Sequence, residues 1–129
     1  MSEPAHTVVV VDDSAAVRVF FEKVAATINI ELKTYASASA ALGYLSAQRP
    51  ALLFLDIIMP DKDGLTLLQE LRRLPLHQDT TTIVISSKDY AQDRTTARQL
   101  GVVEFVAKPM TTRVIEALIV KYTGAGPRG

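Results

Sequence analysis

Cysteine is absent from the 129 residues, which excludes disulfides, thiolate metal sites and a cysteine nucleophile and fits a reducing compartment. Net charge is missing too. Fourteen Lys and Arg balance fourteen Asp and Glu, so no overall basic field gathers nucleic acid or an anionic membrane. The opening stretch MSEPAHTVVVVDD holds only a four-valine run with no basic segment before it, far short of the roughly 18 apolar residues of a membrane span. A cytoplasmic protein that does not itself bind membrane or nucleic acid is expected. What the chain does have is an apolar content of 48% against 22% charged residues, enough to bury one core, and a length that suits one domain.

Thr7–Val11 is short, β-branched and apolar on both faces, as a strand of a covered parallel sheet would be. It stops at Asp12 and Asp13, and Ser14 can cap a helix whose stripe is Val17, Phe20, Phe21, Val24 and Ile28. The alternation continues. Strands are expected at Glu31–Tyr35, Ala51–Leu55, Thr82–Ser86 and Val103–Ala107. Helices are expected at Ala38–Gln48, Gly64–Leu74, Ala91–Leu100 and Thr111–Tyr122, punctuated by Pro50, Pro75 and Gly101. Five strand-then-helix units imply an α/β fold, a doubly wound parallel sheet with helices on both faces. Residues 1–122 form that domain, and the closing TGAGPRG, residues 123–129, reads as a flexible C-terminal tail or linker.

In such sheets the working crevice lies beyond the carboxyl ends of the strands. The residues found there are Asp12 and Asp13, Asp56, Ser86 with Ser87, and Lys108. Each alone has a bland reading as a cap, a turn residue or a solvated charge. Together they bring three carboxylates and one ammonium to one place, which requires compensating cations, and a hard ion such as Mg²⁺ suits an all-oxygen donor set. Asp12 and Asp13 make a metal-binding pair. Asp56, which closes the central strand, is the expected nucleophile toward phosphorus, since an ionised Asp needs no general base. Lys108 and the Ser86 hydroxyl are placed to hold the transferred group.

These residues resemble the receiver domain of bacterial two-component response regulators, the family that includes single-domain chemotaxis regulators. The resemblance runs from Val8 to about Tyr122 and is carried by VVVVDDS at 8–14, LDIIMPDKDG at 55–64, IVISS at 83–87 and FVAKP at 105–109. It implies a (βα)5 flavodoxin-like fold with strand order 2-1-3-4-5. It also implies that Asp56 is the phosphoacceptor, that Asp12, Asp13, Asp56 and the Ile58 carbonyl hold Mg²⁺, and that Lys108 binds phosphate. Ser86 would be the switch hydroxyl, Phe105 the switch aromatic, and Lys108–Pro109 a cis peptide. Ile58 and Lys88 would flank the path of the hydrolysing water. The implied partners are a sensor histidine kinase or histidine phosphotransfer protein and a downstream effector protein or domain, through the surface of the fourth helix, fifth strand and fifth helix; a phosphorylation-dependent homodimer is compatible with it. Such a protein is a signalling switch rather than an enzyme acting on a separate substrate.

Three residues depart from the family's habit: Ser87 stands where Ala is usual, Phe105 where Tyr is frequent, and Ser86 where Thr is commoner. None removes a catalytic group. A flavin binder of this fold is disfavoured because Asp12 and Asp13 would repel the cofactor's phosphate, and a haloacid-dehalogenase-type phosphatase would separate its two acids by one residue. The remaining alternative is a phosphorylation-independent interaction domain of the same fold. His6 and His77 read as surface residues, Met59 and Met110 as packing under loops, and Arg94 with Arg98 as a solvated helix face.

Overall fold

The computed structural model describes residues 6–129. Five parallel strands, β1 (His6–Val11), β2 (Ile30–Tyr35), β3 (Leu52–Asp56), β4 (Thr82–Ser86) and β5 (Glu104–Ala107), form one sheet in the order β2-β1-β3-β4-β5. The helices are α1 (Ala15–Ala25), α2 (Ala38–Leu45), α3 (Gly64–Arg72), α4 (Ala91–Gln99) and α5 (Thr112–Thr123), with a 3₁₀ turn at Pro75–His77. This is the flavodoxin-like (βα)5 fold. Among the described residues no helix is long and apolar enough to cross a membrane.

Alternation along the strands divides the core between two faces. Val8 and Val10, with Leu52, Phe54, Ile83 and Ile85, pack on Phe21 and Val24 of α1 and Ile115 and Ile119 of α5. Val9 and Val11, with Leu53 and Leu55, pack on Ala38, Ala41 and Leu45 of α2 and Leu67, Leu68 and Leu71 of α3. Both faces of β1 are therefore covered, which explains why its sequence is a continuous valine run and not an alternating one. The helix starts follow side-chain chemistry: Ser14, Ser37, Asp63 and Thr111 each accept a backbone N–H of the first turn.

Several element ends differ from the periodicity. β3 runs one residue further, because Asp56 still pairs with Ile85 of β4. α2 stops at Leu45, three residues before the expected end, and α3 stops at Arg72, since Pro75 opens the 3₁₀ turn and leaves Leu74 exposed.

His77 corrects the sequence reading. It is fully buried, with Nδ1 2.8 Å from the Thr80 hydroxyl and Nε2 2.6 Å from the Leu45 carbonyl. That carbonyl can only accept, so Nε2 carries the proton and Nδ1 accepts from Thr80. Nearby, Arg72 donates to the carbonyls of Leu100, His77 and Thr80 at 2.9–3.0 Å, tying α3 to the end of α4 and the approach to β4. The segment after α5, read as a tail, folds back onto the turn between α1 and β2. Pro127 bridges Ile28, the Asn29 N–H donates to the Gly126 carbonyl, and Arg128 donates to the carbonyls of Thr27, Ala25 and Ile30. Small residues allow that close return, and the acceptors are the last carbonyl of α1, one carbonyl of the following turn and the first of β2.

Candidate metal and phosphoryl site

Strand register builds the site. Val11 pairs with Leu55, so Asp12 follows β1 beside Asp56 at the end of β3, while Ser86 pairs with Ala107, so Lys108 follows β5 beside Ser86. The Lys108 N–H donates to the Ser86 carbonyl at 2.8 Å, fixing that junction, and the Lys108–Pro109 peptide is cis. Gly64 completes the floor: its N–H donates to the Ile57 carbonyl at 2.7 Å, and a Cβ there would meet the Asp56 carbonyl oxygen at 2.0 Å. The α3 start can approach β3 this closely only because residue 64 has no side chain.

One carboxylate oxygen from each of Asp12, Asp13 and Asp56 lies within 4.8 Å of the others. Asp12 and Asp56 are buried, and Asp13 is exposed at the rim. Lys108 Nζ is 2.8 Å from Asp12 Oδ2 and 3.3 Å from Asp56 Oδ1. Asp12 is fixed further through Oδ1, which accepts the Ser14 N–H at 2.9 Å, and through its carbonyl, which accepts from Arg18 at 2.8 Å. Its Oδ2 is buried, with the Lys108 ammonium at 2.8 Å as its charged neighbour.

Burial pushes the Asp56 carboxyl up to about 6; the Asp12 charge adds to the rise, and Lys108 opposes it. Burial pulls Lys108 down, but its contacts with Asp12 and Asp56 outweigh that, so it is held above its ordinary value. Two clustered acids, one cation and a third acid at the rim leave negative charge in excess. Together with an all-oxygen donor set, this fits a hard divalent cation.

Around this centre Ser86 is buried, its Oγ accepting the Lys88 N–H at 3.1 Å. Ile58 and the Lys88 side chain are exposed on the loops that follow β3 and β4. Phe105 is half-buried against the cluster of Ile57, Leu65, Val84 and Ala97. Beside Lys108, a largely apolar hollow of about 400 Å³ is lined by Ala16, Val17, Phe20, Pro109 and Met110. Arg18 and the close approach at Gly64 were not singled out in the sequence. Asp63-Gly64 at a helix start was the available signal for the second, and nothing local marked the first. Arg94, read as solvated, lies over the Phe105 ring at 4.4 Å.

The response regulator receiver domain family matches residues 8–120. The chain is 38% identical over 112 residues to the cyclic di-GMP phosphodiesterase response regulator RpfG of Xanthomonas campestris, covering 85% of this chain and 30% of that protein. It spans about a third to a half of the length of the curated relatives it matches. Its fold is similar to the phosphorylated cyanobacterial phytochrome response regulator RcpA, with TM-score 0.84 at 22% identity over 97% of this chain and 99% of that one. It is likewise similar to the Mn²⁺-bound form of response regulator Rcp1, with TM-score 0.82 at 22% identity over 96% and 99%. With the family matched over nearly the whole chain and its acids gathered at the ends of β1 and β3, the chain belongs to the response regulator receiver domain family.

Proposed function

We propose that this domain is the phosphoacceptor of a two-component relay, taking a phosphoryl group on Asp56 with the help of Mg²⁺. The observation that carries the reading is the convergence of Asp12, Asp13 and Asp56 within 4.8 Å, with Lys108 in contact with two of them. Asp12, Asp13, Asp56 and the Ile58 carbonyl would hold the cation. When bound, it would neutralise charge on the carboxylates and on the transferred group.

An Asp56 carboxyl at about 6 is still about nine-tenths ionised at pH 7, so one of its oxygens can attack phosphorus directly. The new bond is carboxylate oxygen to phosphorus, and the bond that breaks joins phosphorus to the donor's histidine nitrogen or acetate oxygen. Lys108, already in contact with Asp56, pairs with the incoming oxygens, and the buried Ser86 hydroxyl donates to one of them. The hollow beside Lys108 gives an apolar seat to a donor protein, a histidine kinase or phosphotransfer protein. Ser86 moving toward the phosphoryl group draws Phe105 with it and alters the surface of α4, β5 and α5, which an effector reads. The domain thus assists its own phosphorylation and acts as a switch.

Acetyl phosphate with Mg²⁺ is expected to add one phosphoryl group to the wild-type domain and none to Asp56→Asn, and excess chelator is expected to suppress the reaction. Labelling that persists in the variant overturns the assignment to Asp56, and a wild-type domain that takes no label leaves a phosphorylation-independent interaction domain as the reading.

A further inference from the structure

One side chain joins the loop after β4 to the middle of β5. The Arg94 guanidinium carbon lies 4.4 Å from the centre of the Phe105 ring, and Nε of the same group donates to the Asp89 carboxylate. That pairing keeps the Asp89 carboxyl below its ordinary value, the Arg94 hydrogen bond being the largest cause. Asp89 belongs to the loop that leaves Ser86, and in that loop the Lys88 N–H donates to Ser86 Oγ at 3.1 Å. Consecutive contacts therefore run from the Ser86 hydroxyl along Lys88 and Asp89 to Arg94 and onto the Phe105 ring.

The element carrying Arg94 is lightly held. α4 reads AQDRTTARQ, buries only Ala97, and has Tyr90 at its N-cap position with no side-chain hydrogen bond. Elements with little buried apolar area move at small free-energy cost. A planar guanidinium against a ring face holds that ring by charge–quadrupole attraction and dispersion together. Because the same guanidinium is fixed to Asp89, displacement of the loop displaces the stack.

We infer that Arg94 is a positioning residue that holds Phe105 in its half-buried place and releases it when the loop after Ser86 carries Asp89 away. The release step rests on phosphorylation of Asp56, as proposed above; the holding step does not. Phosphoryl at Asp56 draws the Ser86 hydroxyl, the loop follows, Arg94 leaves the ring with Asp89, and Phe105 turns deeper. Arg94 then faces the groove of about 280 Å³ that it shares with Arg98, Val103 and Glu104, so release of the ring also changes the charge presented there.

The test uses the full chain with fluorophenylalanine at position 105, read by fluorine NMR, in wild type, Arg94→Ala, Arg94→Lys and Asp89→Asn. Without any phosphodonor, Arg94→Ala is expected to shift the ring toward the position that beryllofluoride with Mg²⁺ produces in wild type, changing the population ratio about two- to five-fold. Arg94→Lys keeps the charge but not the plane and is expected to rescue only in part, and Asp89→Asn to give a smaller shift of the same sign. In a Phe105→Leu background, Arg94→Ala is expected to leave the beryllofluoride response of the amides in residues 86–108 unchanged, which a merely structural role would not predict. An unchanged ring population in Arg94→Ala, or a shift away from the beryllofluoride position, overturns the holding step. If beryllofluoride leaves the amides around Asp56 unmoved in wild type, the reading of Asp56 fails and the release step with it, while the ring comparison still decides the holding step.

Discussion

Gly64 and Asp56 approach each other so closely that a single methyl group on Gly64 would lie 2.0 Å from the Asp56 carbonyl oxygen. The obstacle is backbone and not a flexible side-chain tip. Gly64→Ala must therefore push the start of α3 away from the end of β3. A loss of about 1–3 kcal/mol is expected, as for other overpacked sites, with slower phosphorylation from acetyl phosphate because Asp56 and Ile58 shift relative to Asp12. Urea denaturation and labelling kinetics check the two parts, and an unchanged labelling rate would show that this approach does not position Asp56.

Although Asp56 is paired with Lys108, burial outweighs that contact and makes stability depend on pH in a direction opposite to that of an acid held below its ordinary value. The Asp56 carboxyl is raised from 3.8 to about 6 in the fold, so between those values the native state binds more protons than the unfolded chain. Its contribution is most favourable below about pH 4 and is lost as pH rises through 6. Asp56→Asn is therefore expected to stabilise the metal-free domain by about 2–3 kcal/mol at pH 7 and by much less at pH 4, from a shift of roughly two pKa units. Added Mg²⁺ is expected to raise the melting temperature of wild type more than that of the variant. Denaturation curves of both proteins at the two pH values provide the check.

Arg72 holds three backbone carbonyls from two separate segments, His77 and Thr80 in the turn before β4 and Leu100 at the end of α4. Arg72→Ala removes the charged donor from all three, leaving the Thr80 carbonyl only the Thr82 hydroxyl, and is expected to cost about 2–4 kcal/mol, since hydrogen bonds to charged groups contribute more than neutral ones and abandoned acceptors add a penalty. Mg²⁺ affinity, read on the folded variant, is expected to be unchanged, because Arg72 touches none of the clustered acids. A weakened metal site in a well-folded variant would contradict this separation.

The lifetime of phosphorylated Asp56 is expected to be set by water access along the side marked by Ile58, 47% exposed, and the exposed Lys88. An isoleucine cannot orient an attacking water, and a long lysine can cover the opening or pair with the phosphoryl group. Ile58→Asn with Lys88→Glu is expected to speed loss of label several-fold. An equal or slower loss would assign control of hydrolysis to other groups.

The order of elements was legible because each repeats a local pattern: a β-branched run, a cap, a stripe at intervals of three and four. The strand-end acids and Lys108 were legible for the same reason, since a parallel sheet sends every strand's carboxyl end to one edge. Arg72, His77 and Arg128 were not, because each is used by carbonyls from segments distant in sequence and no local pattern distinguishes such a residue from a solvated one.

Sequence alone determined the alternation of strands and helices and the identity of the charged groups at the strand ends, since both depend on side-chain chemistry within a few neighbouring residues. Tertiary structure alone decided the register that sets Asp12 beside Asp56, the approach that excludes a side chain at Gly64, the return of residues 124–128 onto α1, and the seat of Arg94 on Phe105. These are relations between different elements of the fold, fixed by which buried surfaces and backbone groups find one another when the sheet and its two helical layers pack.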